Sequence, residues 1–181
     1  MGDYPKALSY YEQARAIRQQ SLPSNHPDLG AFYNNIGNVY KNMGDYKKAL
    51  SYYEKDLATG QQSLPSIHPD LGILYNNIGN MYYNMGDYEK ALSYYEEDRA
   101  ILQQSLPSNH PDLYSSYYNI GLVHENMGNY SKAYSFYERS VQTKPQSLSP
   151  NHPTLQQRRK NLERMKKKLQ ILSVIFFWKI I

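Results

Sequence analysis

An all-α solenoid of antiparallel helix pairs is the fold that this chain of 181 residues predicts, and three observations predict it. The string M-G-D-Y begins at Met1, Met43 and Met85, and its variant M-G-N-Y at Met127, a fixed period of 42 residues. Within a period, aromatic and apolar residues recur at three- and four-residue intervals, the spacing of one face of a helix. Each period carries two such runs, parted by a glycine and a polar cap residue. Units of this kind bury their apolar faces only against their neighbours, so stability is local and roughly additive.

The first helix of a pair is read from Tyr33, Ile36, Gly37, Tyr40 and Met43. Gly44 then supplies a left-handed C-terminal stop and Asp45 an acceptor for the N-terminus of the second helix. Tyr46, Ala49, Leu50, Tyr53 and Leu57 continue the periodicity, with Ala49 small where two helix axes come close. A polar linker, Gln61 to Ser66, leads to His68-Pro69-Asp70, where proline opens the next helix at a position whose missing N–H is harmless. In the preceding linker Asn25 and Asp28 are placed to form a reciprocal cap. Ile67 replaces that asparagine in the next linker and predicts a weaker cap there.

In register, residues 1–27 are the second helix of a truncated repeat (Asp3 to about Arg18) plus linker, and 28–69, 70–111 and 112–153 are full repeats. Residues 154–168 form a basic capping helix, in which Glu163 replaces the recurrent glycine and Lys166 the recurrent tyrosine. The first two full repeats agree at about three-quarters of their positions, far more than a shared fold requires, which points to duplication.

Composition narrows the function. The formal net charge is +4, but residues 154–168 alone carry an excess of six positive charges, leaving −2 on the remainder. A nucleic-acid binder spreads a basic stripe over its binding face; the repeats have none, and nucleic acid is not an expected partner. The absence of cysteine excludes disulfides and thiolate metal sites. Met1 runs directly into a polar repeat with no signal-peptide pattern, which makes the cytoplasm the expected location. The sequon Asn129-Tyr130-Ser131 is read as a helix cap.

The set Tyr33, Ile36-Gly37, Tyr40, Gly44-Asp45-Tyr46, Ala49 and Tyr53 resembles the tetratricopeptide repeat signature, recurring in each full unit over residues 1 to about 168. The 42-residue length and the H-P-D-L start are similar to the subclass found in kinesin light chains. The resemblance implies a right-handed superhelix whose inner surface is lined by the first helices. One departure stands out: where the family prefers a small residue late in the second helix, Ala14 and Ser140 comply, but Asp56 and Asp98 do not. Those carboxylates either pair with a neighbouring base or loosen the contact.

Carried onto this chain, the inner surface of the family implies a peptide-binding face. The first repeat contributes Asn34, Asn35, Asn38 and Asn42, and the second Asn76, Asn77, Asn80, Tyr83 and Asn84. The third contributes Tyr118, Asn119, Leu122, Glu125 and Asn126. Asparagine, both donor and acceptor, suits the main chain of an extended peptide, although a polar exposed face is also simply solvated. Lys160, Arg164, Lys167 and Lys168 are placed to meet the negative end of an acidic peptide, or to serve only as a charged cap that favours the helix dipole. A chaperone-type carboxylate clamp needs lysine where Asn34 and Asn76 stand.

His26, His68, His110 and His152 recur once per unit beside serine and aspartate, the residue types of a catalytic triad or a metal site, but geometry argues against both. Helices packed about 8–10 Å apart hold such residues too far from one another for zinc, whose ligands sit at about 2 Å. They are read as linker residues, and His124 as a partly buried ring in a tyrosine place. No phosphate loop, H-E-x-x-H motif or nucleophile elbow is present, so no cofactor, metal or catalysis is expected. Residues 169–181 turn abruptly apolar, from Ile171 and Leu172 through Phe177 and Trp178 to Ile181. A helix of that length falls short of the roughly 30 Å hydrocarbon core. Contact with an anionic membrane surface, docking on the last helix pair, and an extension foreign to the native protein all stay open.

The expected function is a protein- or peptide-binding adaptor, with recognition of acidic cargo peptides as its most specific version. The heptad segment by which kinesin light chains join the motor has no counterpart here. The second expectation, of another class, is the accessory tail of a larger enzyme such as an ADP-ribosyltransferase.

Overall fold

The second helix of each full pair begins two residues beyond a glycine because the chain must reverse there, and the reversal satisfies its own hydrogen bonds. In the computed structural model, which describes residues 3–23, 26–143 and 148–180 and side chains as far as Phe176, the helices are α1 (Tyr4–Gln19), α2 (Pro27–Asn42), α3 (Tyr46–Ser63), α4 (Pro69–Asn84), α5 (Tyr88–Ser105), α6 (Pro111–Asn126), α7 (Tyr130–Gln142) and α8 (Pro153–Ile180). No strand occurs among the described residues. At the end of α2, Gly44 adopts φ 78°; its N–H donates to Lys41 O and that of Asp45 to Tyr40 O, both at 3.0 Å. This is the Schellman closure, and it recurs at Gly86 and Gly128. Asp3, Asp45 and Asp87 then cap the following helices, each accepting from the backbone three residues on at 3.2 Å. Asn129 stands at the equivalent place before α7, but its side chain makes no capping bond; the sequon is a cap by position only.

At the other end of each unit the cap is a histidine. His26 Nδ1 accepts from Asp28 N at 3.2 Å and His68 Nδ1 from Asp70 N at 3.2 Å, and His110 and His152 repeat the contact at 3.3 Å. The linker histidines are therefore N-caps, used in place of the usual Ser, Asp or Asn. These two histidine caps are alike, and Ile67 takes no part in the second. Asn25 lies outside the described residues.

The chain divides into two units, Met1–Ile101 and Leu102–Ile181. In the first, α2 and α3 run antiparallel, as the pairs Asn34–Asp56 and Asn38–Tyr53 show by their opposite numbering, and α4 and the front of α5 repeat the arrangement. Its core gathers Ala49, Tyr53, Leu57, Leu71, Ile78, Met81 and Ile101. Each fully buried aliphatic side chain of this kind contributes about 1.5–3 kcal/mol. In the second unit α7 packs on α6 and α8 on α7, with Leu102, Leu113 and Tyr117 at one end and Ala133, Tyr137 and Met165 at the other. His124 is buried more completely than expected, its ring stacked 5.6 Å from Phe136.

The last helix is not uniformly solvent-facing. Leu155, Arg158, Asn161 and Met165, at helical spacing, form a buried stripe, so one of the cluster's seven cations is inside the protein. The helix does not stop where the composition changes at Leu169, because no glycine, proline or cap separates Pro153 from Ile180. Beyond it Ile171, Leu172, Val174, Ile175 and Phe176 are exposed; the side chains of Phe177, Trp178, Ile180 and Ile181 lie outside the described residues. No helix among the described residues is long and apolar enough to cross a membrane.

Substitutions at Gly79 and His68 probe the close approach and the cap. A Cβ on Gly79 would stand 2.7 Å from the Tyr95 ring, so Gly79→Ala is expected to destabilise by about 1–3 kcal/mol in urea unfolding. His68→Ala should cost about 0.5–2 kcal/mol, whereas His68→Asn, which keeps an acceptor at the N-cap, should cost little.

Candidate functional site

The asparagines on the first helices of the first unit form hydrogen-bonded chains that run into the protein. Asn34 Nδ2 donates to Asp56 Oδ2 at 2.9 Å, Asn38 Nδ2 to Asn34 Oδ1 at 2.8 Å, and Tyr53 Oη to Asn38 Oδ1 at 2.8 Å. The next repeat copies it: Asn76 to Asp98 at 3.2 Å, Asn80 to Asn76 at 3.0 Å, and Tyr95 to Asn80 at 2.8 Å. Four-residue spacing on one helix face stacks the two amides, and the antiparallel partner supplies a tyrosine at one end and a carboxylate at the other. Both tyrosine hydroxyls are held well above the usual phenol range by burial, the one on Tyr53 at about 12.

Asp56 is 6% exposed. Sequence reasoning offered it a basic partner or a loosened contact; it has instead an amide, and no cation pairs with it among the described residues. Burial pushes its carboxyl up to about 6 from an ordinary 3.8, against the opposing effect of the Asn34 hydrogen bond. It lies on the wall of a cavity of about 360 Å³ between α2, α3 and α4. Gly30, Asn34, Asn35, Ser63 and Asp70 also face this space, with Ala31, Leu64, Ile73 and Leu74 as apolar surface. The cavity was not legible beforehand; its one signal was an aspartate where a small residue is usual.

In the second unit the chemistry changes. Tyr118 and Leu122 stand where Asn34 and Asn38 stand in the first, and Leu122 packs against the apolar cluster of Ala133, Tyr137 and Met165. Tyr137 Oη donates to Glu125 Oε2 at 2.7 Å, which with burial raises its phenol far above normal. Glu125 also pairs with Arg164 at 2.6 Å. Arg158 is 6% exposed and donates to Tyr114 O and, at 2.9 Å, to Ser140 Oγ. Its guanidinium lies 3.5 Å from the Tyr114 ring centroid and 4.4 Å from that of Tyr118. Aromatic faces take the place of a counter-ion, and burial lowers its pKa to about 10. Asn161 Nδ2 donates to Tyr118 Oη at 2.9 Å.

The predicted face therefore separates into groups with different availability. Asn34, Asn38, Asn76 and Asn80 are half-buried and engaged in the chains above. Asn35 and Asn42 are exposed, and Asn77 and Asn119 half-buried. Asn84 and Asn126 each donate to the backbone four residues earlier at 2.8 Å, and Tyr83 packs 5.6 Å from Tyr88. On α8, Lys160, Glu163, Arg164, Lys167, Lys168 and Ile171 surround an open hollow of about 540 Å³. Lys168 also sits 3.8 Å from the Tyr130 ring centroid.

Comparison with known proteins agrees with this architecture. The family model described as tetratricopeptide repeat matches residues 1–59 and 70–146. The chain is similar to the crystal structure of BtubC (BKLC) from P. vanneervenii, with 25% identity and a TM-score of 0.81, covering 92% of this chain and 66% of that one. It is similar also to the nearly identical TPR-like repeats ascribed to a kinesin light chain of Podosopora anserina, with 24% identity, a TM-score of 0.77, and 92% and 79% coverage. The apo form of RapI matches at 18% identity with a TM-score of 0.80, over 98% of this chain and 62% of that one. The chain thus spans under two thirds of the BtubC and RapI structures. No curated protein matches at a significant level.

The Asp56 carboxyl has a measurable signature. A carboxyl raised from 3.8 to about 6 favours the folded state while protonated; that contribution is complete below pH 3.8 and is lost as pH rises through 6. Ionised Asp56 then costs about 2–3 kcal/mol at neutral pH. Asp56→Asn, which retains an acceptor for Asn34, should raise stability by about that amount at pH 7.5 and match the parent near pH 4. Urea unfolding at both values checks this; an equal gain at both would assign the effect to packing.

Proposed function

The chain belongs to the tetratricopeptide repeat family, and on that premise we propose that it works as a peptide-binding adaptor in the cytoplasm, receiving acidic segments of partner proteins on the basic face of α8. Tetratricopeptide repeats are protein-interaction scaffolds, which supports the coarser part of the reading. The finer part is supported by one observation: four cations and a single carboxylate line the α8 hollow together with the apolar Ile171. Arg164 is held by Glu125 at its edge, while Lys160 and Lys167 have no partner among the described residues. Such a surface attracts glutamate- and aspartate-rich chain, with a strength that falls as salt screens it. The exposed amides of Asn35 and Asn42 are further candidates for holding the main chain of a peptide.

The test is fluorescence anisotropy of a labelled acidic decapeptide with the full chain. Lys160→Glu combined with Lys167→Glu is expected to weaken binding at least tenfold, about 1.4 kcal/mol, and raising the salt should weaken the parent similarly. Unchanged affinity in the charge-reversed chain would remove acidic recognition from this face.

A further inference from the structure

We propose that the cavity between α2, α3 and α4 is a specificity pocket for one basic side chain, lysine or arginine, of a bound peptide, with Asp56 as its counter-ion; this rests on the peptide-binding reading above. Asp56 Oδ2 is occupied by Asn34 at 2.9 Å, but Oδ1 has no partner among the described residues although the side chain is nine-tenths buried. A Cβ on Gly30 would stand 2.8 Å from that same oxygen, so the missing side chain of Gly30 keeps it reachable. Around it the cavity offers what a long cationic side chain needs. Ala31, Leu64, Ile73 and Leu74 cover an aliphatic stem, and Asn35, Ser63 and Asp70 provide further acceptors for the charged head.

The third repeat shows the same space filled by a cation of the chain's own. One period is 42 residues, so Tyr114, Ser140 and Arg158 are the counterparts, two periods on, of Gly30, Asp56 and Leu74. From the place of Leu74, Arg158 reaches in and donates to Tyr114 O and Ser140 Oγ. There the guanidinium is internal, the carboxylate has become a neutral hydroxyl, and the glycine has become an aromatic ring that covers the charge. In the first repeat the cation is absent, and the carboxylate and the opening beside it are both present. The uncompensated charge of Asp56 is thus matched to a cation that arrives from outside. The loss of stability it causes in the free protein is relieved on binding.

The experiment is capture of peptides from a random synthetic decapeptide library on the immobilised full chain, beside Asp56→Asn, at pH 7.5. The parent is expected to enrich lysine or arginine at one position, and the variant to capture peptides without that enrichment. A selected peptide is then remade with norleucine for lysine, or citrulline for arginine. It should bind the parent at least tenfold more weakly and the variant no more weakly than the original does. Capture of peptides with no basic enrichment, or with equal enrichment by the variant, overturns the pocket and leaves the adaptor reading intact. Failure of the parent to capture any peptide overturns both. The variant is expected to be the more stable protein, so loss of enrichment is not loss of fold.

Discussion

The contact on which the architecture rests is a tyrosine ring laid against a glycine of the neighbouring helix. Tyr53 covers Gly37, Tyr95 covers Gly79 and Tyr137 covers Gly121, and in each case a Cβ on the glycine would come within 2.9 Å of the ring. The glycine costs helix stability, roughly 1 kcal/mol against alanine, and the close approach returns a fully buried aromatic ring. That approach also places the tyrosine hydroxyl within reach of the first helix. Asn38, Asn80 and Glu125 are the acceptors there, so the polar chains exist only because the helices are this close.

Those chains decide what the first helices offer to a partner. An amide that both donates and accepts within such a chain has little capacity left: Asn34 donates to Asp56 and accepts from Asn38, and Asn38 donates to Asn34 and accepts from Tyr53. Their role is to bring a carboxylate inside without a counter-ion, a costly arrangement unless the charge is answered. Asn35, one residue along and on a different side of the helix, keeps its amide free among the described residues. Adjacent asparagines with the same chemistry therefore have opposite availability, by virtue of a rotation of roughly 100° about the helix axis.

The repeats also show how a duplicated unit diverges. The first two nearly coincide in sequence and in hydrogen bonding, while the third exchanges asparagine for Tyr118 and Leu122 and aspartate for Ser140, and admits Arg158 from the terminal helix. These changes are coupled, since a buried guanidinium needs the ring and the hydroxyl, and an open carboxylate needs the glycine. The terminal helix answers two demands at once. Its buried stripe of Leu155, Arg158, Asn161 and Met165 completes the last apolar face, and its other side carries the charge.

Read alone, the amino-acid sequence determined the repeat, the helix pairs, the glycine stops and the aspartate caps, because each depends on residues within a few positions of one another. Phase and spacing sufficed for those. It did not reveal the histidine caps, where the side chain accepts from the backbone two residues on, across the proline that follows it. Nor did it reveal that Arg158 is internal, that the asparagines are already engaged, or that Asp56 borders a cavity. These depend on which residues meet across helix pairs, often more than twenty positions apart. Such meetings are decided by how closely the helices pack, and local pattern carries no record of that distance.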